Sequence, residues 1–293
     1  MNNEQVVIAL DVGGSSVKSG IVDTAYQVYG WRTDPIDSQA DAETIIGTLE
    51  HIIRLHMAAV GQHNCRGIAF GFPGPADYEA GIVRIHGLQK YESIYGMNIR
   101  TVLAGRLAFP VESILLRNDA EAAAVGEARL GAGKDYRRVI GITLGTGLGS
   151  SHLIDGRPQE RGPGVPVEGW LGAVPYRGEL ADDWFSTRGL LRRLESVAGS
   201  ASGGVASLSE QARAGDVALA AAFAEFGTDL GDFLRPYVDE FEAGAVVALG
   251  GITAAMDLFG PSLRSALSVP VLLGELGADA PLVGAADLIY SRG

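Results

Sequence analysis

The chain repeats itself. Aligned without a gap at an offset of 132 residues (139 − 7), "VIALDVGGSSVKSGIVD" from Val7 and "VIGITLGTGLGSSHLID" from Val139 set Val7 and Ile8 on Val139 and Ile140. Gly13 then falls on Gly145, Ser19 on Ser151 and Asp23 on Asp155. Apolar residues match apolar residues between those marks, and both copies read as strand, glycine-rich turn, strand. Solenoid repeats recur every 20 to 50 residues or so. A spacing this long instead predicts two related lobes, each opening on its own hairpin.

The rest of the chain reads as strands alternating with helices, which indicates an α/β architecture. Residues 41–61, "DAETIIGTLEHIIRLHMAAVG", have helical spacing and end at a glycine, and "CRGIAFGFPGP" returns to a short strand and a Gly/Pro loop. The stretch "PVESILLRNDAEAAAVGEARLGAG" predicts a strand before Asn118-Asp119 and an alanine-rich helix from about Ala120 to near Gly131. Residues 156–170 are loop by composition. The first half of "SVAGSASGGVASLSEQARAGDVALAAAF" is expected to be a mobile connection, and a helix follows from Asp216. "GAVVALGGITAAMDLF" predicts a buried strand, a Gly-Gly turn and a helix, and "PLVGAADLIY" a terminal helix. The expected division is a small lobe at 1–117 that regains the terminal helix at about 281–293, and a larger lobe at 118–280.

A formal net charge of −12 argues against nucleic acid as a partner, because phosphate binding needs clustered Lys and Arg. The one basic knot, Lys134 to Arg138, contains an acid and reads as a solvated turn. No apolar window is long enough to span a bilayer and the N-terminus lacks signal-peptide features, so a cytoplasmic protein without a membrane partner is expected. The single cysteine, Cys65, excludes an internal disulfide and a cysteine-rich zinc cluster; it reads as a strand-edge residue rather than a nucleophile.

Gly13-Gly14-Ser15-Ser16 has two readings. It is a hairpin turn, or a turn whose backbone N–H groups and hydroxyls cradle a phosphate, with glycine supplying positive φ and open space. Three features favour the second. Asp11 is an acid near the end of an apolar strand, costly to bury alone but able to orient hydrated Mg²⁺. A second corner occurs at Gly145-Thr146-Gly147. Gly250-Gly251 opens a helix in a manner suited to the close approach of a nucleotide. Together these outline a cleft for a triphosphate. No Walker A Gly-Lys-Ser/Thr is present, and "GTGLGS" leads into a strand rather than the helix of a dinucleotide fold. Asn118-Asp119 reads as a helix N-cap, as a carboxylate that deprotonates a hydroxyl in phosphoryl transfer, or as both, one role per residue.

In these residues the chain resembles the ROK family of sugar kinases, within the actin, Hsp70 and hexokinase-like ATPase superfamily. "ALDVGGSSVKSGIVD" is similar to the family's first phosphate motif, "GFPGP" to its sugar-side loop and "NDAEAAAVGEARLGAG" to its catalytic segment. "ITLGTGLGSSHLIDG" is similar to the second phosphate motif and "VVALGGI" to the adenosine motif. The resemblance implies a two-lobed actin-like ATPase fold, a duplicated ribonuclease H-like α/β fold with an interlobe cleft. It also implies transfer of the ATP γ-phosphoryl group to a sugar hydroxyl, and a homodimer. By position, Asp119 is the implied general base, Asn118 a sugar contact, and Gly71, Pro73 and Gly74 the sugar-side loop. Gly13, Gly14, Ser15, Ser16, Lys18, Gly145, Thr146 and Gly147 are implied at the phosphates, Gly250 and Gly251 at the adenosine, and Asp11 at Mg²⁺ through water.

The resemblance breaks at "VEGWLGAVPYRGELADDWFS", where the family carries Glu-x-Gly-His and a zinc loop. Trp170 and Ala173 fall on the Glu and His positions, so zinc is not expected. Asp182 stands where a later sugar-binding glutamate would be, and Glu168 is a displaced candidate for the lost carboxylate. His86, Gln89 and Lys90 either line the cleft mouth or are solvated. Trp170 and Trp184 either stack on a sugar or pack in the core, and His152 reads as structural. Besides the ATP kinase, a polyphosphate donor, a sugar-sensing regulator lacking the repressors' N-terminal DNA-binding segment, and a kinase without turnover all stay open.

Overall fold

The computed structural model describes residues 5–200 and 202–292. The chain divides into two compact units. One takes the described residues up to Gly126 together with those from Ala278 onward, and the other is Glu127–Gly277. The sequence reading set these changes at 117/118 and 280/281.

The first unit opens with β1 (Val6–Val12), β2 (Ser16–Val22) and β3 (Val28–Pro35), followed by α1 (Ala42–Val60) and β4 (Cys65–Phe72). A short hairpin of β5 (Ala76–Asp77) and β6 (Ile82–Val83) precedes α2 (Ile99–Leu107), β7 (Ile114–Asn118) and α3 (Asp119–Arg129). The sheet order is β3-β2-β1-β4-β7, with β1, β4 and β7 parallel and β2 and β3 antiparallel. Alternation along β1 sends its side chains to two faces. Ile8, Leu10 and Val12 meet the α1 residues Ile45, Ile46, Leu49, Ile52 and Ile53. Val7 and Ala9 meet Leu282, Ala285 and Ala286 of the C-terminal helix. Asp41 starts α1 by accepting the Thr44 N–H (2.8 Å).

The second unit contains β8 (Arg138–Leu144), β9 (Leu148–Ile154), β10 (Arg157–Gln159) and a hairpin of β11 (Pro175–Tyr176) and β12 (Glu179–Leu180). Next come α4 (Ala181–Phe185), α5 (Thr187–Ala198), α6 (Gly204–Arg213), α7 (Val217–Phe241), β13 (Ala245–Leu249), α8 (Met256–Ala266) and β14 (Val271–Leu273). The C-terminal α9 (Ala280–Tyr290) returns to the first unit. The sheet order, β10-β9-β8-β13-β14, repeats that of the first unit strand for strand. The internal repeat thus extends beyond the hairpin that announces it.

Two local expectations change. The stretch expected to be mobile carries α6, which buries Leu208 and Ala212 in the core built around α7. Its Ala, Ser and Gly content hides that face from a periodicity reading. The Gly250-Gly251 pair opens a 3₁₀ turn, Gly251–Ala255, and α8 follows it. Among the described residues no helix is long and apolar enough to cross a membrane.

Candidate functional site

Parallel pairing assembles the charged end of the first unit. Asp11 of β1 lies opposite Gly71 of β4, and Phe72 opposite Asn118 of β7. The three strands point the same way, so their C-terminal ends, where open α/β sheets place ligands, gather Asp11, the 71–74 loop and Asn118-Asp119. A Cβ on Gly71 would lie 3.6 Å from Asp119 Cα and 3.7 Å from Asp11 Oδ1. A Cβ on Gly74 would lie 2.8 Å from Tyr78 Oη and 3.6 Å from Asn118 Nδ2. Pro73 is buried between them.

Asn118 is the cap of α3. Its Oδ1 accepts from the N–H groups of Ala120 (3.0 Å) and Glu121 (3.2 Å), and its Nδ2 donates to Tyr78 Oη (3.0 Å). Asp119 Oδ1 accepts the Ala120 N–H (2.8 Å), and no side chain hydrogen-bonds to Asp119 among the described residues. The capping role read from "ND" therefore falls on Asn118. Burial raises the Asp119 carboxyl above the usual carboxylate range, against the opposing pull of the Ala120 N–H and the Lys90 ammonium. Burial likewise pushes the Asp11 carboxyl up to about 6, opposed by Lys18 and reinforced by Asp119. The Asp11 carboxylate makes no hydrogen bond among the described residues. A carboxylate with no protein partner fits a hydrated cation. No group of three or more metal-ligating side chains occurs among the described residues, and Mg²⁺, which keeps several waters and takes substrate phosphates, does not require one.

The first glycine corner is held by Gly13 N–H to Ser16 O (2.9 Å), Ile36 N–H to Ser15 O (3.1 Å) and Tyr91 Oη to Gly13 O (2.5 Å). Gly14 and Ser15 are exposed at its tip. Neither Gly13 nor Gly14 has positive φ. What Gly13 supplies is room, since a Cβ there would lie 2.9 Å from Ser16 O.

In the second unit the corner is closed by Gly145 N–H to Gly147 O (3.1 Å), and Thr187 donates to Gly145 O from both N–H (2.7 Å) and Oγ1 (2.8 Å). Asp182 Oδ1 accepts the Leu148 N–H (2.6 Å), and its Oδ2 accepts from Arg188 (3.3 Å). Thr146 is exposed at the tip. β8–β13 pairing, with Thr143 opposite Leu249, brings Gly250 against the Leu144 backbone, where it adopts φ 92° and leaves no space for a Cβ. The Gly145–Gly147 corner and the Gly250-Gly251 pair are thereby joined.

Of the two candidate sugar carboxylates, Asp182 is thus bound to the second corner, and Glu168 is exposed in a turn at φ 56°. Trp170 is exposed, whereas Trp184 packs edge-on against Tyr176 with Arg177 and Arg192 over its ring. His152 is fully buried, edge-on to Phe241 at 5.1 Å, and its burial lowers it to about 4. Cys65 is buried at the start of β4, its thiol pushed up to about 11 by that burial, as expected of an inert residue. His86 stacks on Tyr95 at 5.6 Å, and Gln89 is exposed. Sequence reasoning passed over Tyr78 and Tyr91. Each is joined through its hydroxyl to a motif residue, and a tyrosine a few places after a Gly/Pro loop or beside a lysine is too common a pattern to single out.

The ROK family model matches residues 7–291. A glucokinase from Streptomyces coelicolor is 26% identical over 319 residues, covering 97% of each chain. A polyphosphate glucokinase from Mycobacterium leprae is 32% identical over 151 residues, covering 50% of this chain and 43% of that one. Among solved structures, a ROK family glucokinase from Streptomyces griseus in complex with glucose and AMPPNP superposes with a TM-score of 0.75 at 26% identity, covering 98% of this chain and 100% of that one. The fold is that of the actin-like ATPases. Since the family match runs from β1 to α9 and takes in both glycine corners and the Asn118-Asp119 step, the chain belongs to the ROK family.

Proposed function

We propose that this protein is a sugar kinase that transfers the γ-phosphoryl group of ATP to a hydroxyl of a hexose or related sugar. The likeness to glucokinases, one of them solved with glucose and AMPPNP, supports this reading. The observation that carries it is the separation of roles at the start of α3. Asn118 serves as the cap, so Asp119 is left as a half-buried carboxylate with a raised pKa and no side-chain partner among the described residues. Carboxylates raised by desolvation at the end of a strand are the kind of group that active sites use.

In the proposed reaction the sugar lies against Gly71, Pro73, Gly74 and the remaining amide hydrogen of Asn118. Its hydroxyl oxygen attacks the γ-phosphorus, and Asp119 takes the hydroxyl proton. The bond from that phosphorus to the bridging oxygen breaks, and ADP leaves with the electron pair. Phosphate oxygens are taken by Gly13, Gly14, Ser15, Ser16 and Lys18 at the first corner and by Gly145, Thr146 and Gly147 at the second. Gly250 and Gly251 take the adenosine. Mg²⁺ held through water by Asp11 would neutralise charge on the phosphate oxygens. The polyphosphate glucokinase match supports polyphosphate as a second donor, whose oxygens present the same chemistry to the same N–H groups. Glu168 is a further candidate for a sugar contact. A cytoplasmic homodimer without nucleic-acid or membrane partners completes the proposal, and light scattering tests the dimer.

The test is a panel of sugars scored for ADP release, with ATP and polyphosphate as donors. Asp119→Asn is expected to lower kcat by about 10² to 10⁴ and to leave nucleotide affinity unchanged. Wild-type turnover in that variant removes Asp119 from the mechanism.

A further inference from the structure

A general base works only when its carboxylate is held in register with the proton it takes, and no side chain hydrogen-bonds to Asp119 among the described residues. Its orientation must come from the backbone that carries it. A pair of charges spans that backbone. Arg117, the residue before Asn118 on β7, sets its Nε 2.8 Å from Oε1 of Glu121 in the first turn of α3. The contact is an ion pair rather than an aligned hydrogen bond. It closes a ring of side chain and backbone that contains Asn118 and Asp119. Asn118 ties the same ring at a second point, because its Oδ1 accepts the Glu121 N–H (3.2 Å).

The ring is fixed in turn to α9. Alternation along β7 sends Ile114 and Leu116 to the α1 face and Leu115 to the α9 face, and Arg117 follows Leu115. The Arg117 side chain is buried, and its Nη1 donates to Gly284 O (2.7 Å) and lies 3.8 Å from Asp287 Oδ2. Asp287, itself buried on α9, accepts the Tyr26 hydroxyl (2.8 Å). The turn of α9 that supplies these contacts rests directly on α3, since a Cβ on Gly284 would overlap Ala122 O. One guanidinium thus joins the end of β7, the start of α3 and the middle of α9.

We propose that Arg117 and Glu121 are positioning residues for the general base, a bridge over the Asn118-Asp119 step that aims the Asp119 carboxylate at the sugar hydroxyl. The inference rests on the kinase reading above. A buried ion cluster is weak as a source of stability, and apolar residues at these positions would serve a fold as well. What the planar, many-armed guanidinium adds is a fixed direction between its partners. Neither residue takes a proton or touches phosphate; both act through Asp119.

The test is a double-mutant cycle on kcat in the full-length protein, using Glu121→Ala, Asp119→Asn and the two together. Glu121→Ala keeps a good helix former in the first turn of α3 and leaves Arg117 its contacts on α9. It is expected to lower kcat by about tenfold to a hundredfold, with the KM for ATP and the affinity for ADP unchanged. In the Asp119→Asn background the same substitution should alter the residual turnover by less than about twofold, because no base is left to aim. Thermal melts separate this from a structural role, which would lower stability and turnover alike in both backgrounds. Arg117→Lys keeps the charge but cannot reach α3 and α9 with one ammonium, and it should show the same dependence on Asp119 with a smaller loss. It replaces Glu121→Ala if that variant melts early. Full kcat in Glu121→Ala, or a loss of equal factor in both backgrounds, overturns this inference and leaves the kinase reading intact. A wild type that phosphorylates no sugar on the panel overturns both.

Discussion

The two halves of the repeat build the same corner and furnish it differently. In the first, Val12 pairs with Val17 around residues 13–16; in the second, Leu144 pairs with Leu148 around residues 145–147, one residue tighter. The first corner is flanked by Asp11 and Lys18, where the aligned positions of the second are Thr143 and Ser150. The first is braced by an uncharged phenol, Tyr91, and the second by a carboxylate, Asp182. The contrast extends along α3. Asp119, in its first turn, has no side-chain partner among the described residues. Glu127, near its end, is fully buried and accepts three backbone N–H groups, from Ala132 (2.9 Å), Glu275 (3.0 Å) and Leu276 (2.9 Å). The two units share one scaffold, and among the described residues the positions that flank the corner carry charge only in the first. A buried carboxylate whose needs are met holds the fold together, and one whose needs are unmet is available for chemistry.

The sharpest way to break this contrast is to remove the satisfied carboxylate. Glu127→Ala leaves three part-buried N–H groups without their buried acceptor, each costing on the order of 1 kcal/mol. The expected loss is therefore about 3 kcal/mol or more, read by urea denaturation. Protein that remains folded should keep its kcat. The opposite pattern, full stability with lost turnover, would place Glu127 among the reacting groups.

Asp11→Asn should act in the other direction. A carboxyl raised to about 6 in the folded protein, from roughly 4 when unfolded, binds more protons folded than unfolded between those values. Its contribution to stability is thus present below about pH 4 and is lost as pH rises through about 6. At pH 7 the ionised group costs up to about 3 kcal/mol. Asp11→Asn should stabilise the metal-free protein at pH 7, and the gain should shrink toward pH 4, while turnover falls. A variant no more stable than wild type at pH 7 would show that Asp11 already has its charge met, like Glu127. Such a gain, with turnover lost, would be the stability cost of a functional site in a single residue.

Much of this contrast was legible beforehand, because it resides in local pattern. The duplication, the alternation of strands and helices and the "ND" step each lie within a few neighbouring residues, and period and turn chemistry expose them. What stayed hidden depends on contacts between distant segments. A gap-free alignment gives no sign that the second hairpin closes one residue tighter. The glycines at 13 and 14 were read as supplying both positive φ and open space; Gly13 supplies the room, against Ser16 O, and positive φ is required instead at Gly250. No sequence rule brings Tyr91 to Gly13, since 78 residues separate them. α6 was obscured by residues too small to register as an apolar face.

Asp182 has the smallest expected effect and separates two accounts of one residue. By position in the chain it stands for a sugar-binding carboxylate. By geometry its Oδ1 carries the Leu148 N–H, its Oδ2 meets Arg188, and a Cβ on Gly147 would lie 2.8 Å from Oδ1. If its work is to brace the second corner, Asp182→Ala should cost about 1 to 2 kcal/mol of stability and raise the KM for ATP a few-fold. The KM for sugar should stay in place, and Tyr91→Phe at the first corner should show the same signature. If it contacts the acceptor, the KM for sugar should rise tenfold or more and that for ATP should not. The first outcome makes the two corners equivalent as clamps, with all of their difference in the charges beside them. The second would give the second unit an acceptor-side charge of its own, and the division between scaffold and chemistry would then run through both copies.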